Sequence, residues 1–448
     1  MSRPNIVFIL TDQMRGHATG YAGDPNVKTP FLDGMAERSV NMTNMISVCP
    51  ICTPYRACLL TGQYPLTHGL FMNDLCLPDN GNSIAQVLKR DGYDTAYVGK
   101  WHLDGHGRDQ FIPPERHQGF DYWKVLECTH DYWESDYYAN DSDERRRWEG
   151  YDAFAQTADA LDWLRGRKDI NRPFILFLSL GTPHNPYDTA PKEYLDLYDK
   201  ESFILRDNVD PGLDTNCRDE LHGYYAHISA LDDCVARVEE VLRAEDLKED
   251  TYLIFTSDHG DSIESQCDPD TPWINKQRPY EESILVPFLI EGPGLEPRME
   301  DALIASPDLM PTLLGICGKE VPDTVEGIDY SRLIKQEENI GRDAVLLAGY
   351  SPFADWCFER GGREYRGIRT QRYTYVRELK GPWLLFDNRE DPFQLNNLID
   401  VPEASTLLKR LDERLDQELG ELGDGFLSSA ELLSRWDYQV DDKGAIPF

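Results

Sequence analysis

Five short apolar runs, set in a long polar chain, constrain the fold of this sequence most. Residues 5–10, 95–98, 174–180, 252–256 and 284–290 are too brief for helices and rich in aliphatic and aromatic side chains, with little polar alternation. A strand buried on both faces reads this way, and such strands belong to parallel sheets covered by helices. Between them lie helical patterns at 30–39, with Thr29 as its cap, and at 83–90, 154–165, 221–244 and 307–314. The expectation is an α/β fold with a large, mainly parallel sheet flanked by helices. Near residue 341 the pattern changes to brief strand-like runs at 344–349, 366–369, 373–377 and 383–387, then an amphipathic stretch at 404–422. This predicts a short antiparallel sheet with a helix, and so a large domain at 1–340 and a smaller C-terminal α+β subdomain at 341–448. Two segments show no period. The aromatic and charged stretch 105–149 reads as an excursion over a site, and the acidic stretch 207–219 as irregular.

Four of the apolar runs end in residues that carry chemistry. They lead into Thr11-Asp12-Gln13, Gly99-Lys100-Trp101-His102, Gly181-Thr182-Pro183-His184 and Ser257-Asp258-His259-Gly260-Asp261. In an open α/β sheet, ligands gather at the carboxyl ends of the strands, so these groups share one rim. Singly, an Asp after a strand is a helix cap and a Lys is a solvated side chain. Together, Asp12, Gln13, Asp258 and His259 read as a divalent-metal site. Their oxygens suit Ca²⁺ or Mg²⁺, and the imidazole leaves Mn²⁺ or Zn²⁺ open.

Cys52-Thr53-Pro54-Tyr55-Arg56, followed by Ala57-Cys58-Leu59-Leu60 and Thr61-Gly62, reads as a short helix. Thr53 serves as its cap, Pro54 suits the first helical position and Gly62 ends it. Cys52 then sits at the positive end of a helix, where an anion is welcome, with Arg56 one turn inside.

The formal net charge is −35 across 448 residues, which argues against nucleic acid and anionic membrane as partners. The 10 Cys are scattered, and Cys49 and Cys52 make the single Cys-x-x-Cys pair. Met1-Ser2-Arg3-Pro4 runs directly into the first strand, and no apolar run is long enough to span a membrane. The expectation is a reducing, cytoplasmic location with mostly free thiols.

The Cys-x-Pro-x-Arg pattern with its Leu-x-Gly sequel resembles the signature of the type I sulfatases, in the alkaline phosphatase superfamily. Gly99-Lys100-Trp101-His102, the Pro183-His184 pair, and Lys276 ahead of Tyr280-Glu281 and Val286-Pro287 match further motifs. So do 26–36, Gly119-Phe120-Asp121, Ala230-Leu231-Asp232-Asp233, 307–312 and 385–397, and the resemblance covers nearly the whole chain. Two positions depart from the common pattern: Gln13 replaces a second Asp, and Tyr55 replaces a small residue.

The resemblance implies that a maturation enzyme oxidises Cys52 to formylglycine, the nucleophile. It implies Ca²⁺, with Mg²⁺ or Mn²⁺ as alternatives, on Asp12, Gln13, Asp258 and His259. Arg56, Lys100, His102, His184 and Lys276 become the sulfate and leaving-group contacts. The expected activity is removal of sulfate from a small sulfated saccharide taken end-on. The alternatives are an arylsulfatase, a phosphonate or phosphate ester hydrolase of the same superfamily, and a non-catalytic sulfoglycan-binding protein. Trp101, Trp123, Trp133, Trp273, Tyr132 and Tyr137 are candidates to face a sugar ring, and Asp104 and His106 to bind its hydroxyls.

Overall fold

The computed structural model describes residues 3–167, 171–267 and 276–447. Among these, eleven strands form one sheet: β1 (Asn5–Asp12), β2 (Val40–Ile46), β3 (Asp94–Lys100), β4 (Tyr122–Leu126), β5 (Asp136–Ala139), β6 (Ser142–Arg147), β7 (Phe174–Pro183), β8 (Thr251–Ser257), β9 (Leu285–Val286), β10 (Phe288–Glu291) and β11 (Arg298–Ala305). Their order is β11-β2-β10-β8-β1-β7-β3-β4-β5-β6, with β9 beside β2. The five central strands β8, β1, β7, β3 and β4 run parallel, and antiparallel strands flank them.

Alternation along β1 explains why the sheet carries helices on both faces. Ile6, Phe8 and Leu10 join one apolar core with Tyr55, Leu59, Ile84 and Leu309. Val7 and Ile9 join the other with Leu161, Tyr224 and Leu231. Helices Cys52–Thr61, Ile84–Arg90 and Leu309–Ile316 therefore cover one side, and Asp152–Arg165 and Asp214–Ala244 the other.

Several elements differ from the sequence expectation. The run 284–290 is not one parallel strand. Helix Glu281–Ile284 leads into β9, and β10 then runs antiparallel to β8 and β2. Pro287, which has no N–H to extend a ladder, separates the two strands. The stretch 105–149 contains β4, β5 and the exposed edge strand β6, whose sequence SDERRR guards the sheet edge with charge. The stretch 207–219 holds the start of helix Asp214–Ala244, with Asp214 in its first turn, where a carboxylate is favoured. In helix Cys52–Thr61 the cap position falls to Ile51, and Gly62 ends the helix at φ 68°. Thr53 lies inside the helix, and its hydroxyl donates instead to the His102 carbonyl at 2.7 Å.

The second sheet is antiparallel, in the order β12 (Ala344–Gly349), β13 (Tyr365–Thr370), β14 (Tyr373–Glu378) and β15 (Gly381–Asp387). Helix Ser405–Glu421 packs on it through Leu411, Leu415 and Leu419, which share one helical face. A buried Arg369–Glu281 ion pair at 2.7 Å ties this sheet to the segment preceding β9.

One glycine positions the site directly. Gly99 has φ +108°, and a Cβ there would lie 2.0 Å from the Ser179 carbonyl oxygen. Gly99→Ala must separate β3 from β7 and displace the neighbouring Lys100. The expected destabilisation is about 3 kcal/mol or more, read as a lower denaturant midpoint. A midpoint equal to that of the unaltered protein would contradict this packing argument.

Candidate active site

Strand ends β1, β3, β7 and β8 and the N-terminus of helix Cys52–Thr61 meet at one buried point. Cys52 is 1% exposed. Its Sγ lies 3.2 Å from His259 Nε2, 3.7 Å from Asp12 Oδ1, 3.4 Å from Lys276 Nζ and 3.8 Å from Lys100 Nζ. Arg56, one turn along, turns its guanidinium back under this point. It donates to Asp12 Oδ2 at 3.0 Å, to Asp258 Oδ2 at 3.0 and 3.1 Å, and to Ser179 Oγ at 2.8 Å. Lys100 Nζ pairs with Asp12 Oδ2 at 2.7 Å. Breaking one arm of such a fully buried network leaves an unpaired charge, so these residues hold one another in place.

The electrostatics follow from this crowding. Burial pushes the Asp12 carboxyl upward, but Lys100, Arg56 and His259 outweigh it and hold Asp12 well below the usual carboxylate range. Asp258 moves the other way, because burial and the neighbouring Asp12 charge both oppose its ionisation. Burial and Asp12 also oppose a Cys52 thiolate, yet Lys100, Lys276 and His259 draw the thiol well below its ordinary value. The pocket thus favours an anion at position 52.

The donor set fits a hard cation. Ligand atoms of Asp12, Cys52, Asp258 and His259 all lie within 4.8 Å of one another. His259 Nδ1 faces the Gly260 carbonyl at 2.9 Å and donates to it, so Nε2 is the ring atom turned toward the cluster. Gln13 Oε1 is buried with no hydrogen-bond partner among the described residues. A buried carbonyl oxygen without a partner, on the residue that follows Asp12, suits an oxygen-seeking divalent ion.

On the other side of Cys52, His184 Nδ1 donates to the Asn185 carbonyl at 2.8 Å, so its Nε2 accepts from Lys276 Nζ at 2.9 Å. Burial and the Lys276 charge keep His184 neutral, well below its ordinary pKa. His130 stacks on its ring, with centroids 4.5 Å apart. His102 Nε2 donates to Asp74 Oδ1 at 2.9 Å, and Arg108 closes over the same carboxylate. Burial opposes a charged His102, but Cys128 and the Asp74 bond raise it to about 10. Asp74→Asn should therefore move the pH-rate limb set by His102 toward lower pH, by about one unit. An unchanged profile would remove Asp74 from this role.

All ten residues read from the sequence as nucleophile, sulfate contacts and metal ligands are among those described, and Asp12, Cys52, Arg56, Lys100, His184, Asp258, His259 and Lys276 form one contact network. Gln13 joins it through its N–H to Asp258 Oδ1 at 3.1 Å, and His102 through its carbonyl contact with Thr53. The sugar-facing candidates fare differently. Trp101 is 1% exposed and packs edge-on against Tyr97 and Trp123, so it is a core residue rather than a sugar contact. Trp123 is likewise buried. Tyr132 is buried and donates its hydroxyl to the His184 carbonyl at 2.7 Å, a supporting role. Tyr137 stacks on Trp148. Asp104 is buried and clasped by Arg116 at 2.6 and 3.0 Å, which corrects its assignment to sugar hydroxyls, whereas His106 is exposed. Trp133 is 46% exposed, its indole N–H held by the Thr189 carbonyl at 2.7 Å. Trp273 lies outside the described residues. Sequence reasoning missed Asp74, Ser179, Cys128 and His130, which sit in segments with no motif or inside an apolar strand.

Comparison with known proteins agrees with this geometry. The Sulfatase family model matches residues 4–319, and the model for the C-terminal part of N-sulphoglucosamine sulphohydrolase matches 270–421. An ulvan-active sulfatase of Formosa agariphila is 46% identical, over 100% of this chain and 87% of its own length. An endo-4-O-sulfatase of Bacteroides thetaiotaomicron is 31% identical, over 97% of this chain and 95% of its own. A solved structure from glycosaminoglycan metabolism in Bacteroides thetaiotaomicron superposes with a TM-score of 0.86 at 29% identity, covering 97% of this chain and 99% of that one. The chain belongs to the sulfatase family and is a sulfuric ester hydrolase.

Proposed function

We propose that this enzyme removes sulfate from a sulfated saccharide, with Cys52 converted to formylglycine and Ca²⁺ on Asp12, Gln13, Asp258 and His259. The observation that carries the reading is the single buried point where Cys52 Sγ meets Lys276, His259, Asp12 and Lys100 within 3.8 Å. A divalent ion there would act as a Lewis acid on the nucleophile and the sulfuryl group. Formylglycine, hydrated, supplies one oxygen to attack sulfur and a second to release the sulfate. A plain thiol lacks that second oxygen.

The chain's own groups supply the rest. Lys100, Lys276 and Arg56 offset the sulfuryl charge in a site that excludes water. Lys276 Nζ, whose partner His184 Nε2 remains neutral, gives a proton to the departing alcohol oxygen. His102 takes the proton released on sulfate expulsion only after giving up its own, which Cys128 and Asp74 hold. Loss of the Cys52 charge on conversion removes one of the influences that hold its own proton. The overall balance is ester plus water to alcohol plus hydrogen sulfate.

The sulfated-saccharide reading draws on the ulvan-active relative. The end-on reading rests on the net charge of −35, which repels a long polyanion within about a Debye length, roughly 8 Å at physiological salt, except at a local cationic pocket. Sulfate release from defined sulfated oligosaccharides, with matched aryl sulfate and aryl phosphonate esters alongside, tests both. Saccharide sulfates are expected to be the better substrates, with the terminal sulfate lost first. Release from internal residues of a long chain at matching rates would remove the end-on reading, and preference for the phosphonate would promote the phosphoryl alternative.

A further inference from the structure

Gln13 departs from the acidic residue common at its position, and an amide is a metal ligand only when its oxygen, not its nitrogen, faces the ion. Three acceptors settle which way this amide points. Gln13 Nε2 donates to Asp261 Oδ2 at 2.7 Å and lies 3.3 Å from the Tyr187 hydroxyl and 3.5 Å from Asn185 Oδ1. The opposite atom, Oε1, is the buried one without a partner among the described residues. The backbone is held as firmly. Gln13 takes the left-handed φ of 69°, with its N–H on Asp258 Oδ1 and its carbonyl accepting the Tyr224 hydroxyl at 3.0 Å.

Asp261 is committed on both sides. Its Oδ2 accepts from Gln13 and from the Tyr187 hydroxyl, and its Oδ1 accepts the Ile263 N–H at 3.1 Å. It is fully buried, so no solvent competes for either oxygen. Tyr187 in turn is pressed against helix Asp214–Ala244 at Gly223, where a Cβ would lie 2.1 Å from the Tyr187 carbonyl oxygen. Its ring also packs edge-on to Tyr224, at 5.7 Å.

We infer that Asp261, backed by Tyr187, is a positioning residue that fixes the Gln13 amide so that Oε1 is presented to the metal. The inference rests on the metal site proposed above. It predicts a specific failure in Asp261→Asn. The Ile263 N–H claims the one remaining acceptor oxygen, which turns an NH₂ toward Gln13. Gln13 must then flip, and its own NH₂ faces the ion. Gln13→Glu in the same chain needs no orientation, because one oxygen accepts from the amide introduced at position 261 and the other remains for the metal.

The test is calcium titration of the full-length, chelator-stripped protein by calorimetry, with the calcium-dependent rise in Tm as a second readout. Asp261→Asn is expected to weaken binding about 10- to 100-fold, the usual cost of losing an outer partner of a ligand. Tyr187→Phe should weaken it less. Gln13→Glu combined with Asp261→Asn should return within about threefold of the parent, a rescue that a merely structural role of Asp261 would not give. Unchanged affinity in Asp261→Asn, or a double variant no better than it, overturns the inference while leaving the metal site standing. A parent protein that takes up no calcium overturns the metal site and the inference with it.

Discussion

Cys52→Ala is expected to abolish sulfate release, with kcat falling by about 10⁴-fold or more, as when a covalent nucleophile is removed. The fold should survive. Among the described residues Cys52 makes no backbone link beyond its own helix, and Ala is a better helix former. More than the thiol's own reactivity is at stake. Cys52 stands at a helix N-terminus beneath two lysines and a histidine, so whatever oxygen or sulfur occupies position 52 is held as an anion against the same cations. A mass measurement on the tryptic peptide from active protein should show the aldehyde, and the active fraction should rise and fall with the converted fraction. Full turnover by protein carrying only the thiol would refute the assignment, and so would full turnover by Cys52→Ala.

Much of this was written in the sequence because the chemistry falls at strand ends. Asp12, Lys100, His184 and Asp258 each follow an apolar run that buries itself without help, and a doubly wound sheet delivers all four to one rim. The expectation of a helix beginning near Cys52 held for the same reason, since Gly62 and Pro54 constrain backbone directly. The cap was misplaced because Thr53 had a stronger partner in the His102 carbonyl, a contact from another strand end. β2 and β11 left no signal, for their Asn, Thr, Glu and Asp interrupt any pattern, and their pairing comes from neighbours far along the chain. Trp101 illustrates a different limit. A tryptophan between Lys100 and His102 invites a substrate role, yet alternation along an extended segment turns its side chain away from the site, into the ring cluster of Tyr97, Phe120 and Trp123. Asp74 has no spacing rule, and Asp261, though inside the motif that follows Asp258, takes its role from what it touches.

Removal of the divalent ion is the second large effect expected. Asp12 and Asp258 are both fully buried, and Asp258 is disfavoured as an anion by burial and by the charge of Asp12. Arg56 and Lys100 already engage Oδ2 of these carboxylates, and Oδ1 of each lies within 3.8 Å of His259 Nε2, where an added cation would meet it; Asp258 Oδ1 also accepts the Gln13 and His259 N–H groups. A cation there gathers four donors that otherwise repel one another or stand without a partner, so binding should stabilise the fold as well as enable turnover. Treatment with a calcium-selective chelator, followed by its removal, should leave less than about a hundredth of the activity, a loss in keeping with Lewis-acid help worth several kcal/mol. It should also lower Tm. Added Ca²⁺ should restore both, and more fully than Mg²⁺, since a site built from two carboxylates, an amide and an imidazole on four fixed positions has little room for the water shell Mg²⁺ retains. Asp258→Asn separates the ion from the arginine: it keeps an oxygen for Arg56 but halves the site's negative charge. Its calcium requirement should rise steeply while its folded state persists. Chelated protein that retains full activity and an unchanged Tm would show that the four residues hold no ion. Recovery with Mg²⁺ but not Ca²⁺ would keep the site and reassign its occupant.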